Sequence, residues 1–154
     1  MSALIDNLPG YRRMTAGDLA RVLAIENAAY PYPWTPGNFR DSLDCGYHCW
    51  VMELAGEIVG YCVAMIAVNE AHLLNFTIAA GWQRCGLGRE LLKFLVQLAR
   101  DFLVHKIYLE VRPSNVAGLK LYADAGFSEI ATRRGYYPAH DGREDAVILE
   151  LALA

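Results

Sequence analysis

The stretch QRCGLGRELLKFL, Gln83 to Leu95, sets Gly86 and Gly88 two residues apart at the mouth of an apolar-periodic helix. A helix's first turn leaves backbone N–H groups without partners and carries the positive end of the dipole. An anion is bound there without a charged side chain. Glycines remove the Cβ atoms that hold a phosphate away, and Arg84 and Arg89 add charge on either side. The spacing is not a P-loop, because Arg89-Glu90 stands where Lys-Ser/Thr is required. It is not a dinucleotide fingerprint either, because the third glycine position holds Leu91. What remains is Gln83-x-x-Gly86-x-Gly88, entered from a strand. A plain turn before a helix is the bland alternative.

The totals suit a folded domain. The chain has 154 residues, 55% hydrophobic and 20% charged, which fits one globular domain, residues 1–154, without repeats or low-complexity linkers. The net charge of −3 offers no basic surplus for direct nucleic-acid binding. The opening MSALIDNLPGYRR lacks the pattern of a secretory signal, and the longest apolar run, IVGYCVAMIAV, is short for a membrane span. A soluble, cytoplasmic protein without membrane association is expected. Cys45, Cys49, Cys62 and Cys85 form no CxxC pair and have no histidine at ligand spacing, so neither structural zinc nor disulfides are expected. They read as small buried hydrophobes. No G-x-S-x-G supports hydrolase chemistry.

The elements that must position the turn follow from period and punctuation. Thr15 with Asp18 opens a helix as a capping box, followed by Leu19, Val22, Leu23 and Glu26 at helical spacing. Thr35 and Pro36 start a second, short helix after the rigid aromatic YPYPW, Tyr30 to Trp34. HCWVMEL and IVGYCVAMIAV, joined by AGE, read as a hairpin, and AHLLNFTIA as a third strand. The helix behind the glycines has Leu91, Phe94, Leu95, Leu98 and Phe102 on one face. KIYLEV is a strand. A helix capped by Ser114 or Asn115 and stopped at Gly126 follows, then the strands FSEIATRR and DAVILELAL. His105 and His140 read as surface loop residues, and His48 and His72 lie in or beside strands. The fold class is α/β, with a mixed sheet parallel at its centre and flanked by helices.

The Gln83–Gly88 spacing resembles the pyrophosphate loop of the GNAT superfamily of acyl-CoA N-acetyltransferases. LLNFTIA before the loop, YLEVRPSNVAGLKLYADAGF after it and RRGYYPAHDGREDAVIL near the end are similar to the RimI type, the ribosomal-protein alanine N-acetyltransferases. The resemblance covers nearly the whole chain, most strongly Leu73 to Leu149. It implies a centrally splayed sheet and acetyl-CoA as acetyl donor, with no metal. The implied acceptor is a protein N-terminus, most specifically the N-terminal alanine of a small-subunit ribosomal protein. The expected route is direct attack in a ternary complex, with a ping-pong route through Cys85, near the cofactor, as the alternative.

Amide formation from a thioester needs an uncharged amine. At pH 7 deprotonation costs roughly 1 kcal/mol for an α-amine and about 4.6 kcal/mol for lysine, so a modest base suffices for the first. By pattern alone Glu110 is a charge on an alternating strand; by resemblance it is the proton acceptor, a role that partial burial would suit by raising its pKa. By pattern Tyr122 is a core tyrosine; by resemblance it returns a proton to the departing thiolate. Both readings hold together, since a tyrosine can bury its ring and present its hydroxyl. Asn115 caps a helix and by resemblance also bonds CoA. The resemblance gives the backbone of Phe76, Thr77 and Ile78 to the pantetheine arm and acetyl carbonyl. It gives Arg84, Cys85, Gly86, Leu87, Gly88 and Arg89 to the pyrophosphate. Trp34, Tyr136 and Tyr137 are candidates for the acceptor groove, or for a hairpin packed by its own aromatics. Cys85 stands where many relatives carry a polar residue, and YPYPW is unusually rich in Tyr and Pro, which leaves the acceptor open. Lysine, a polyamine or another small amine is the alternative acceptor. A non-catalytic acyl-CoA-binding regulatory module is the alternative class.

Overall fold

Capping side chains start the helices where the sequence puts them. In the computed structural model, which describes residues 8–153, Thr15 and Asp18 form the expected box around a 3-10 turn, Ala16–Asp18. Helix α1, Leu19–Ala29, follows. The Thr35 hydroxyl accepts from the Asn38 N–H at 3.1 Å, with Pro36 in the first turn of α2, Pro36–Asp44. Residues 1–7, the start of the segment read as lacking a secretory signal, lie outside the described residues.

Among the described residues the remaining elements are β1 (Gly10–Arg13), β2 (His48–Leu54), β3 (Glu57–Ala67), β4 (Glu70–Ile78), α3 (Leu87–Asp101), β5 (Lys106–Val111), α4 (Val116–Asp124), β6 (Ser128–Ala139) and β7 (Gly142–Ala152). The strand order is β1-β2-β3-β4-β5-β7-β6. The pairs β1–β2, β2–β3, β5–β7 and β6–β7 are antiparallel, and β4–β5 is parallel. This is the mixed α/β sheet expected from the sequence. The β4–β5 ladder runs from Glu70↔Lys106 to Leu73↔Leu109 and ends there. No described helix is long and apolar enough to cross a membrane.

The chain divides into two compact units, residues 1–64 with 75–95, and 65–74 with 96–154. In the first, Met14, Val22, Ile25, Phe39, Val51, Tyr61 and Val63 make a core against which Trp34 and Trp82 pack. The β2–β3 turn uses left-handed residues, Ala55 at φ 51° and Gly56 at φ 79°, the pairing that matches strand twist. In the second unit Ile107, Leu109 and Val111 bury one face of β5, with Tyr122, Phe127, Ala146 and Leu149 also buried.

Three expectations change. Phe102 falls one residue past α3 and is exposed, while Leu92 and Ala99 join Leu91 and Leu95 in the buried set of that helix. Phe94 instead stacks on Tyr11 at 4.1 Å. Cys49 and Cys62 are buried, and burial pushes their thiols up to about 11 and about 12. Cys45 and Cys85 are exposed, because Cys45 caps the C-terminus of α2 and Cys85 sits in the turn before α3. The last two strands run further than FSEIATRR and DAVILELAL. GYYPA belongs to β6, and Gly142 opens β7.

Asp18 takes a bidentate pair from Arg12, 2.8 Å on each oxygen, and the Thr15 N–H. The Arg12 guanidinium holds its carboxyl down at about 2, from 3.8. A depressed folded-state pKa means stability that is full above the unfolded value and is lost as pH falls toward 2. The melting-temperature gap between wild type and Asp18→Asn should therefore be widest above pH 5 and close between pH ~4 and ~2, read by thermal melts across that range.

Candidate active site

The glycine turn belongs to the first unit. After β4 a 3-10 turn, Ala80–Trp82, leads to Gln83, whose Nε2 donates to the Ile78 carbonyl at 3.0 Å. Gln83 therefore ties the turn back to the strand end. Arg84 and Gly86 are both left-handed, at φ 63° and 84°. A Cβ on Gly86 would meet no protein atom within 4 Å, so its backbone angle, not crowding, calls for glycine. The Gly86 carbonyl accepts the Glu90 N–H at 3.2 Å, which makes it the entry to α3. The N–H groups of Leu87, Gly88 and Arg89 precede that first bond and open the helix dipole. Arg84, Arg89 and Cys85 are exposed, and Leu87 is buried. The Cys85 thiol donates to the Trp82 carbonyl at 2.8 Å.

The end of β4 is dense with polar contacts. The Tyr30 hydroxyl lies 3.0 Å from the Phe76 carbonyl, to which it donates, and 2.9 Å from Thr77 Oγ1. Thr77 Oγ1 donates to Asn75 Oδ1 at 2.8 Å. Trp34 is half-buried, its ring 5.1 Å from Phe39 and its N–H donating to Glu26 Oε2 at 3.0 Å. Packing against the core is the contact the structure gives this candidate acceptor residue.

In the second unit, Glu110 lies on the half-buried face of β5, opposite Ile148 in register. Its charge raises the Tyr136 phenol pKa, assisted by burial and a hydrogen bond between the two side chains. Tyr137 rises to about 12, mainly through burial and then through Glu110. Tyr136 and Tyr137 meet edge to face at 4.9 Å. Glu110 and the two tyrosines thus converge, although 26 residues separate Glu110 from Tyr136 in sequence. Gly135 at φ 57° sits in the register shift that re-aims β6 just before them.

Asn115 is the cap of α4: its Oδ1 accepts from the Gly118 N–H at 3.0 Å. A Cβ on residue 118 would lie 2.6 Å from Asn115 Nδ2, so cap and glycine fit as a pair. Tyr122 is buried with its ring 5.5 Å from Phe127, and Gly126, at φ 104°, ends the helix behind it. Asn115 is therefore a helix cap and Tyr122 a buried tyrosine of the second unit, as their pattern in the sequence suggests.

Sequence reasoning missed a clamp here. Glu144 accepts from the Ser114 N–H at 2.8 Å, the Ser114 hydroxyl at 3.0 Å and Arg112 at 3.1 Å. The Ser114 hydroxyl leads these bonds in lowering the Glu144 carboxyl pKa. Arg112 also donates to the Pro138 carbonyl at 2.7 Å and covers the Tyr137 ring at 4.3 Å. The loop that starts α4 is thereby fixed to the strand pair carrying the tyrosines.

One unit holds a strand feeding a glycine turn and an open helix N-terminus, the other a carboxylate among phenols, features of an acyl-transferase class, and the chain belongs to the acetyltransferase (GNAT) family, whose model matches residues 19–127. It is 36% identical over 137 residues to the [ribosomal protein bS18]-alanine N-acetyltransferase of Escherichia coli (strain K12), covering 89% of this chain and 93% of that one. The crystal structure of the ribosomal-protein-S18-alanine N-acetyltransferase from Escherichia coli superposes with a TM-score of 0.90 at 33% identity, covering 96% of this chain and 95% of that one. A GNAT family acetyltransferase from Elizabethkingia anophelis, solved with acetyl-CoA bound, shares the fold with a TM-score of 0.78 at 22% identity, over 94% of this chain and 98% of that one.

Two outcomes test this geometry. Gly86→Ala forces an L-residue into the left-handed region and should lower stability by about 1 kcal/mol, whereas Arg84→Gly should leave it unchanged or raise it. Urea unfolding of both variants decides. Glu110→Gln should bring the Tyr136 phenol down toward about 10, seen as tyrosinate absorbance lost on Tyr136→Phe appearing at lower pH.

Proposed function

We propose that the whole chain acts as one N-acetyltransferase domain. It moves the acetyl group of acetyl-CoA to the N-terminal α-amine of a protein, the alanine that begins ribosomal protein bS18. The observation that carries this reading is the 36% identity, along 89% of the chain, to a relative whose name states that activity. Three local features support it: the left-handed entry to α3, the carboxylate of Glu110 set against a phenol, and a buried tyrosine on α4.

In the proposed reaction the pyrophosphate of the acetyl donor rests on Arg84–Arg89, where N–H groups and two guanidiniums oppose its charge. The backbone of Phe76 to Ile78 receives the pantetheine arm and acetyl carbonyl, and Asn115 adds a side-chain bond. The free amine attacks the thioester carbon. A C–N bond forms, the C–S bond breaks, and backbone N–H groups steady the oxyanion between the two events. Glu110 takes the proton the amine loses. Tyr122 gives a proton to the sulfur that leaves. Tyr136, Tyr137 and Trp34 line the path of the acceptor's first residues. Glu110 then needs to be only a modest base, because freeing an α-amine of its proton near neutrality costs only about 1 kcal/mol. No nucleic acid, membrane or metal enters this reaction.

The test is acetyl transfer followed by mass spectrometry. The acceptors are an Ala-starting peptide with the bS18 N-terminal sequence, its N-blocked twin carrying lysine, and spermidine. One acetyl should appear on the free α-amine alone. Glu110→Gln and Tyr122→Phe should each cut kcat by about 10²-fold or more, the usual size of a lost general acid or base. Transfer to the blocked twin or to spermidine in place of the peptide would move the acceptor to lysine or small amines. Acetyl-CoA binding without transfer to any acceptor would turn the reading to a binding module.

A further inference from the structure

Glu26 is 2% exposed, on the buried face of α1, and its two carboxylate oxygens accept from three donors on three different segments. Oε1 accepts from the Tyr61 hydroxyl at 2.7 Å and from Asn75 Nδ2 at 3.1 Å. Oε2 accepts from the Trp34 N–H at 3.0 Å. Its own carbonyl accepts from the Tyr30 N–H at 3.1 Å. One residue therefore holds both ends of the Tyr30–Trp34 loop, one end by backbone and the other by carboxylate.

The same carboxylate reaches the end of β4. Asn75 takes one oxygen with its amide nitrogen and offers its own oxygen to Thr77 at 2.8 Å. Thr77, its own proton given to Asn75, accepts from the Tyr30 hydroxyl at 2.9 Å, and that O–H is shared with the Phe76 carbonyl at 3.0 Å. The bonds form a closed circuit: Glu26, Asn75, Thr77, Tyr30, and back to Glu26 through the Tyr30 N–H. A buried carboxylate is a costly choice unless its bonds are complete, and here each one ties down a segment.

We infer that Glu26 is a positioning residue, whose carboxylate fastens the Tyr30–Trp34 loop to the Asn75–Ile78 strand end and so fixes the acceptor side against the strand that holds the acyl donor. This inference rests on the acetyltransferase reading above. Glu26 touches neither reactant and acts through Trp34 and Asn75. Glutamine fits the same space but cannot serve the same donors. If its nitrogen faces Trp34, two N–H donors oppose each other. If its nitrogen faces Asn75, the same clash arises unless the Asn75 amide turns over and its bond to Thr77 changes.

Glu26→Gln is therefore the informative variant, and Tyr61→Phe is its control, because it removes the β3 hydroxyl that meets Glu26 and Thr77 and leaves the bonds of Glu26 to Trp34 and Asn75 in place. For the Ala-starting peptide, Glu26→Gln should lower kcat/KM about tenfold or more, the scale set by sub-ångström misplacement. The Kd for acetyl-CoA should stay within about threefold, since Ile78 is braced by Gln83 rather than by Glu26. Tyr61→Phe should lower the melting temperature at least as far, yet keep kcat/KM within about threefold. Unchanged kinetics in Glu26→Gln, or activity falling in step with melting temperature in both variants, would overturn the inference. Hydrogen exchange of the 30–34 and 75–78 amides is measured on the same proteins without substrate. If wild type acetylates nothing, the functional reading fails by itself. The fastening is then judged by exchange: faster in Glu26→Gln than in Tyr61→Phe supports it, and equal exchange refutes it.

Discussion

Buried backbone polar groups must find partners, and β4 is where that requirement shapes this protein most. Its parallel ladder with β5 ends at Leu73↔Leu109, yet the strand continues to Ile78. Beyond that ladder β4 keeps β3 as its sheet neighbour, and side chains add further partners. Tyr30 serves the Phe76 carbonyl, Gln83 serves the Ile78 carbonyl, and the Ala79 N–H donates to the Val59 carbonyl at 2.8 Å. Gly60 belongs to this arrangement, because a Cβ there would lie 2.8 Å from the Thr77 carbonyl and from Ile78 Cδ1. The strand end is thus shaped by these side chains as well as by its sheet neighbour β3.

The second unit meets a related demand with charge. Glu110 and Glu144 both sit among phenols and hydroxyls, but their surroundings differ in sign. Glu144 faces Arg112 and two donors of Ser114, which favour its ionised form. Glu110 faces Tyr136 and Tyr137, whose phenols its charge makes harder to ionise. One carboxylate is thus clamped by a guanidinium and by Ser114, while the other meets two phenols.

Much of this was legible in the sequence where the signal is local. Thr15 with Asp18, Thr35 with Pro36, Asn115 with Gly126, and KIYLEV mark their elements to within a residue, because caps and strand alternation act over a few positions. The glycine turn was legible for the same reason. The circuit around Glu26 was not, although a carboxylate in the apolar stripe Leu19, Val22, Glu26 is itself a sign of buried partners. Those partners stand 8, 35 and 49 residues away, and no local pattern names them. The Glu144 clamp was hidden in the same way, 30 residues from Ser114. The true reach of β6 was masked by Gly135, which falls in the register shift between Arg133 and Tyr137, and by Pro138, which pairs with Arg143 beyond that shift.

The turn and the loop, far apart in sequence, are braced by neighbouring carbonyls of one strand. The Phe76 carbonyl accepts from Tyr30 at one end of the aromatic loop, and the Ile78 carbonyl accepts from Gln83 at the start of the glycine turn. Two left-handed residues, Arg84 and Gly86, follow Gln83 within three positions, and a non-glycine side chain in that region is costly. A turn carrying such strain keeps its form only if its ends are held. Gln83 holds one end, and the first bond of α3, from Glu90 to Gly86, holds the other. The conformation of the glycine turn is therefore a consequence of how β4 ends, and the residues that shape that ending, Glu26 and Asn75 among them, frame both the turn and the loop.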